Sequence, residues 1–349
     1  MSSGLIKFLL LLTLAVCLPA AIWYFRQPDG RKPVRLEGAT MGTTWSVVLG
    51  TKPAGADPAA LQLLLQQQLD LINTQMSTYD PASEVSRFNV SSSTDWFPVS
   101  AETAQVVELA QEISRVSDGA FDITVGPLVD LWGFGPKPRR EKHPSDSEIA
   151  TARRLVGYRH VQVRRFPAAL RKDIPGLRID LSAIAKGYAV DKLADVLSSQ
   201  GIGEMLVEIG GEMLIRGKNP EGKPWRIAVE KPQAGERGIE KIFQLTDTGV
   251  ATSGNYRNFF VEDGQRYGHT IDPAKGRPVR HRLASVTVLA ATSARADALA
   301  TALMAMGDER AMEFCRHKGV AAYMVLHQGE DTQAVMSDSF RMLAGTATP

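Results

Sequence analysis

The chain has 349 residues, 44% of them hydrophobic and 22% charged, and a formal net charge of +2 at pH 7. That length buries a full core without staples, and the near-neutral balance argues against a nucleic-acid-binding surface. The two cysteines, Cys17 and Cys315, exclude a disulfide framework and a CxxC metal site. Lys7 precedes an apolar run from Phe8 to Val16, and apolar character resumes after Pro19 as far as Phe25. A charged start followed by such a run is the form of an export signal, and about 18 residues of this kind just reach across a bilayer. Residues 1–26 are therefore expected to be a signal peptide or signal anchor. Lipidation at Cys17 is the competing route to membrane attachment, weakened because Val16 is larger than the small residue preferred there. Either outcome places the body on the periplasmic side of the inner membrane. Residues 27–34, rich in Pro, Gly and charge, read as a linker, and residues 35–345 as the folded body.

Within the body, alternation over 44–49 predicts a strand. Asp57-Pro58 opens a helix with Leu61, Leu64, Leu65, Leu69 and Ile72 on one face. A second helix starts near Ser100 and carries Val106, Val107, Leu109, Ala110 and Ile113. Residues 135–147 are polar and Pro-rich, a surface loop whose basic residues Lys137, Arg139, Arg140 and Lys142 form a solvated face. Strands are expected at 160–164, 178–181, 205–209, 225–229, 242–245, 285–289 and 321–326, with helices over 185–198 and from 293. Strands mixed with helices, lacking a steady βαβ rhythm and any internal repeat, indicate an α+β fold.

Four local arrangements offer chemistry. Asp297 and Thr301 are four apart on an expected helix, so a carboxylate and a hydroxyl share a face and present hard oxygen donors suited to Mg²⁺. The bland alternative is an aspartate complementing the helix N-terminal dipole. Asp180, Ser182 and Lys186 lie where a strand gives way to a helix, a junction that binds phosphate or simply caps the helix. His269, between Gly268 and the Asp272-Pro273 turn, has the near-neutral imidazole needed to take a proton from a hydroxyl, although a lone histidine is commonly structural. Gly119-Ala120-Phe121-Asp122 sets small residues beside aromatics, which lets backbone approach a flat ring. Gly210-Gly211 and the segment Thr252-Ser253-Gly254-Asn255-Tyr256 invite the same reading or that of plain Gly-rich turns. The dinucleotide fingerprint, the P-loop, HExxH and GxSxG are all absent.

Taken in order, Gly38-Ala39-Thr40-Met41-Gly42-Thr43, Met76-Ser77-Thr78-Tyr79, Gly119 to Leu128, Asp180 to Gly187, Gly210-Gly211, Thr252 to Tyr256, His269 to Pro273 and Ala296 to Thr301 resemble the ApbE family of flavin transferases. The resemblance implies an α+β fold of mixed and antiparallel sheets with packed helices, and Mg²⁺-dependent transfer of FMN from FAD to a threonine hydroxyl of another protein, releasing AMP. It implies FAD contacts at Met41, Tyr79, Ala120, Phe121, Asp122, Asp180, Lys186 and Ile271, and His269 as the catalytic histidine. The implied metal site uses the Ala183 carbonyl with Asp297 and Thr301; Ala300 stands where some relatives carry a second aspartate. The Asp297 carboxylate is expected at the rim of the site. The implied acceptors are membrane redox subunits of the sodium-pumping quinone reductase (Nqr) or Rnf type. A periplasmic FAD pyrophosphatase and a non-catalytic flavin-binding lipoprotein are the competing readings.

Overall fold

The computed structural model describes residues 33–51, 57–135, 143–232, 238–255, 259–262, 265–329 and 331–344. The expected signal or anchor segment with Cys17, residues 27–32 of the linker, Lys137 to Lys142 and Tyr256 lie outside the described residues. Among the described residues no helix is long and apolar enough to cross a membrane.

Eight strands build the central sheet: β1 (Arg35–Thr40), β2 (Thr43–Leu49), β3 (Met205–Ile209), β4 (Glu212–Arg216), β5 (Thr248–Gly254), β6 (Leu283–Ala290), β7 (Ala321–Gln328) and β8 (Asp331–Met336). They lie side by side in chain order, and every neighbouring pair is antiparallel. The helices are insertions into this meander. Between β2 and β3 come α1 (Pro58–Met76), α2 (Glu84–Val90), α3 (Ala101–Val116), α4 (Gly126–Leu131), α5 (Asp146–Arg153) and α6 (Ala185–Ser199). Between β6 and β7 come α7 (Ser293–Met306) and α8 (Asp308–Lys318), and α9 (Asp338–Ala344) follows β8. The fold is α+β, as the pattern of elements predicts.

Strand alternation explains how one sheet serves two cores. In β7, Ala322, Met324 and Leu326 enter the large core formed with α1, α3, α6 and α7, whereas Tyr323 and Val325 enter a second core. That second core is closed by the hairpin Trp225–Glu230/Ile239–Leu245 and by Phe340 of α9. Phe243 meets Tyr323 and Phe340 edge-on at 5.2 and 5.0 Å, contacts that each add about 1 kcal/mol to area burial. Burial on both faces is why β7 reads as a continuous apolar run as far as Leu326 and why even Ser285 and Thr287 of β6 are buried.

Helix starts follow the sequence. Asp57, Ser100 and Ser145 each cap a helix, Ser145 in a reciprocal box with Glu148. On α1 the residues Leu61, Leu65, Leu69 and Ile72 are buried, but Leu64 is 37% exposed because it falls at the edge of the buried stripe. Three expectations are corrected. Residues 178–181 form no strand: the Asn89 side chain takes both ladder positions of Ile179, accepting from its N–H (2.8 Å) and donating to its carbonyl (2.8 Å). The loop expected over 135–147 ends early, since α5 starts at Asp146. Thr252-Ser253-Gly254 is not a turn but the end of β5, paired in register with β6.

Candidate active site

One cavity of about 1050 Å³ opens beside the central sheet, walled by α2, the turn after α3, α4, the start of α6, the β3–β4 turn, β5 and α7. Tyr79, Ala120, Phe121, Asp122, Asp180, Ala183, Lys186, His269, Ile271, Asp297 and Thr301 all border it. Met41 does not. It occupies the β1–β2 turn with φ of 49°, and the neighbouring Thr43 and Thr44 reach the cavity instead.

The polar heart of the cavity forms where α6 meets α7. Gly187 permits this approach, since a Cβ there would lie 2.5 Å from the Ser293 carbonyl oxygen. Gly187 belongs to the first turn of α6, where backbone N–H groups lack helical partners, and its N–H donates to Asp297 Oδ2 at 3.2 Å. Lys186 places its ammonium 3.1 Å from Glu212 Oε1 and 3.9 Å from Asp297 Oδ2. Burial opposes this charge, but Asp297 and Glu212 outweigh it and hold the ammonium above the usual lysine range. Burial likewise raises the Asp297 carboxyl, against the pull of Lys186 and the Gly187 N–H. Glu212 is pushed up to about 7, first by burial, with Lys186 opposing and Asp297 adding repulsion. The expectation of a rim carboxylate is corrected: Asp297 is buried, 5% exposed, because α7 packs its polar face against α6 rather than against solvent.

The donor set passes a test for a hard cation. Asp297 makes its contacts through Oδ2, which leaves Oδ1 without a hydrogen-bond partner among the described residues. Thr301, one turn along α7 from Asp297, places its hydroxyl 3.3 Å from Ser253 Oγ, and Ala183 borders the same cavity ahead of α6. Carboxylate, hydroxyl and carbonyl oxygens without thiolate or imidazole suit Mg²⁺ better than zinc. Among the described residues no group of three or more His, Cys, Asp or Glu side chains could hold a metal ion, so any such site depends on Asp297 together with neutral oxygens and water.

The opposite wall is built from turns. Asp122 is buried and its carboxylate is consumed internally: Oδ1 accepts from the Thr124 N–H and hydroxyl, and Oδ2 from the Tyr158 N–H. Burial raises this carboxyl against those same bonds. Asp180 Oδ1 accepts from the Ser182 N–H and hydroxyl, fixing the bend that leads into α6. Tyr79 is 72% exposed at the mouth.

His269 sits on a loop pinned at both sides. Tyr267 stacks on Trp132 at 6.0 Å, Trp132 Nε1 donates to the Gly276 carbonyl, and Ile271 is buried in the same small core. Thr270 donates its hydroxyl proton to Asn255 Oδ1 at 2.9 Å. Gly268 is required there, since a Cβ would meet the Asn255 side chain at 2.8 Å. The imidazole lies edge-on to Phe134 at 6.4 Å and borders the cavity.

Sequence reasoning missed Glu212, Asn89 and the Arg178–Asp130 ion pair (2.7 Å), all of which border the cavity. Glu212 follows the Gly210-Gly211 pair directly, and that adjacency was the available signal. The others carry no local mark, because their partners lie far away in the chain.

The ApbE family model matches residues 41–324. The chain belongs to the ApbE family. It is 45% identical over 308 residues to the FAD:protein FMN transferase of Vibrio cholerae, an alignment covering 88% of this chain and 92% of that protein. It is 42% identical over 308 residues to the Escherichia coli protein of the same name, with 88% of each covered. Among solved structures, the flavin transferase ApbE from Vibrio cholerae superposes with a TM-score of 0.83 at 44% identity, covering 89% of this chain and 99% of that one. The apo flavinyl transferase ApbE of Pseudomonas stutzeri gives 0.83 at 39% identity, covering 91% and 98%. The antiparallel sheets and packed helices described above are thus the ApbE fold.

Proposed function

We propose that the chain is a Mg²⁺-dependent transferase that moves FMN from FAD to a threonine hydroxyl of another protein and releases AMP. The observation that carries this reading is the cavity, which gathers a histidine, a lysine, the buried Asp297 and the Thr301 hydroxyl around space for a flavin nucleotide. Relatives named FAD:protein FMN transferase support it.

In this reading Tyr79, Ala120, Phe121, Asp122, Asp180, Lys186 and Ile271 hold FAD. Asp122 acts through its backbone, since its carboxylate is already bonded to Thr124 and Tyr158. Met41 contributes through the turn that sets Thr43 and Thr44 on the wall. The Ala183 carbonyl, Asp297 and Thr301 would hold Mg²⁺, which supplies charge neutralisation at the diphosphate. The Lys186 ammonium, which borders the cavity, would add positive charge near the same phosphates. His269 takes the proton of the incoming threonine hydroxyl; its oxygen bonds to the FMN phosphorus as the bond to the AMP oxygen breaks. Catalysis rests on positioning and electrostatics, as in other phosphoryl transfers. We further propose membrane redox subunits of Nqr or Rnf type as acceptors, and a periplasmic location with the N-terminal segment holding the protein at the inner membrane.

The test is mass spectrometry of an acceptor protein incubated with the chain, FAD and Mg²⁺. The expected result is one FMN added to one threonine, with stoichiometric AMP. FMN and AMP release indifferent to acceptor would make the protein a pyrophosphatase, and FAD binding without turnover would make it a flavin carrier.

A further inference from the structure

Glu212 has no part in the chemistry described so far, yet it is the nearest partner of Lys186. The ammonium lies 3.1 Å from Glu212 Oε1, a hydrogen-bond distance, and 3.9 Å from Asp297 Oδ2, which is not one. Glu212 is well placed to win this competition. It opens β4 inside the central sheet, immediately after Gly210 and Gly211, whose φ values of 61° and 107° make the turn from β3. Its second oxygen, Oε2, is buried and has no hydrogen-bond partner among the described residues. Leaving a buried acceptor unsatisfied is destabilising, the more so for a charged group, so fold stability alone would favour an apolar side chain here. The cluster holds two carboxylates and one ammonium, a surplus of negative charge beside a cavity.

We infer that Glu212 is a positioning residue that holds the Lys186 ammonium away from Asp297, leaving the Asp297 carboxylate to a divalent cation instead of to the lysine. This rests on the reading of Asp297 as a metal ligand. With Glu212 neutral, Lys186 keeps one anionic neighbour, and a shift of about 1 Å turns the 3.9 Å ion pair with Asp297 into a hydrogen-bonded one. A metal ion would then have to displace the lysine.

Isothermal titration with Mn²⁺, without FAD, separates this from a general charge effect. Glu212→Gln preserves size and one acceptor oxygen; it should weaken Mn²⁺ binding about tenfold, within the usual range of coupling between sites. Lys186→Met removes the competitor, so adding Glu212→Gln to it should change Mn²⁺ affinity by less than about threefold. Equal losses in both backgrounds would show that Glu212 acts only through its own charge and would overturn the inference, as would unchanged binding by Glu212→Gln. Thermal unfolding checks that each variant is folded; Glu212→Met, which removes the orphaned oxygen, takes the place of a glutamine variant that fails this check, with the same expectation. Asp297→Asn is measured first. If it binds Mn²⁺ as well as the unaltered protein does, the metal reading itself fails before Glu212 is touched, and this inference falls with it.

Discussion

His269 and Asp297 show how much of a side chain's role is set by what holds it. The imidazole is carried on a loop fastened by Tyr267, Thr270 and Ile271, so its position is settled without help from a ligand. His269→Ala should therefore leave FAD affinity within about threefold while lowering the transfer rate by about 100- to 10,000-fold, the range for loss of a general base. Fluorescence titration with FAD and single-turnover transfer measure the two separately. A large affinity loss with normal turnover would contradict the assignment. Asp297 was legible as a pair with Thr301 because helical spacing is local information. Its burial was not legible, because the wall that covers it comes from α6, distant in sequence. Lys186 gave the same partial result: the sequence offered a lysine at a helix start, and only the fold supplied Glu212 as its neighbour.

At the level of elements, the α6–α7 crossing decides the geometry of the site. Gly187→Ala would gain up to about 1 kcal/mol of helix propensity. The new Cβ meets the backbone of Ser293, and such overpacking costs about 1–3 kcal/mol, so a net loss of stability is expected. Chemical denaturation would detect it, and Mn²⁺ affinity should fall with it as the Ala183 carbonyl ahead of α6 is moved away from Asp297 and Thr301 on α7. Asp191 braces the same crossing from α6, accepting the Ser293 and Ala294 N–H groups at 2.8 and 2.9 Å. Burial pushes its carboxyl up to about 6, with those two bonds and Arg216 opposing and Asp195 adding repulsion. The folded chain thus binds this proton more tightly than the unfolded chain does. Between the ordinary aspartate value near 4 and about 6, the contribution of Asp191 to stability falls as pH rises, and it stays at its minimum above 6. Asp191→Asn should flatten that part of the profile of melting temperature against pH; an unchanged slope would remove Asp191 as its cause. The strand expected over 178–181 failed for a related reason. Alternation marks an extended segment, but whether a neighbouring strand or the Asn89 amide satisfies it is a tertiary matter.

For the whole molecule, the arrangement that matters is a meander interrupted by long insertions. β1 starts at Arg35, two residues after the first described residue, Pro33. A chain starting at residue 33 should therefore fold and bind FAD, and, given an export signal that is fully removed, collect in the soluble periplasmic fraction. The full-length chain should remain with the inner membrane. Recovery of the full-length protein in the soluble fraction would contradict the proposed attachment.

What the sequence by itself determined was the local grammar: helix starts at Asp57 and Ser100, the apolar run of β7, the helical spacing of Asp297 and Thr301, and an ordered set of motifs sufficient to suggest the family. These are legible because propensity, capping and periodicity act over a few residues. Only the tertiary structure decided that β3 and β4 sit between β2 and β5, that Glu212 holds Lys186, that Asp297 is buried, and that Met41 stands back from the cavity. Those outcomes depend on which distant surfaces pack together, and packing is a sum of many weak contacts that no short stretch of sequence contains.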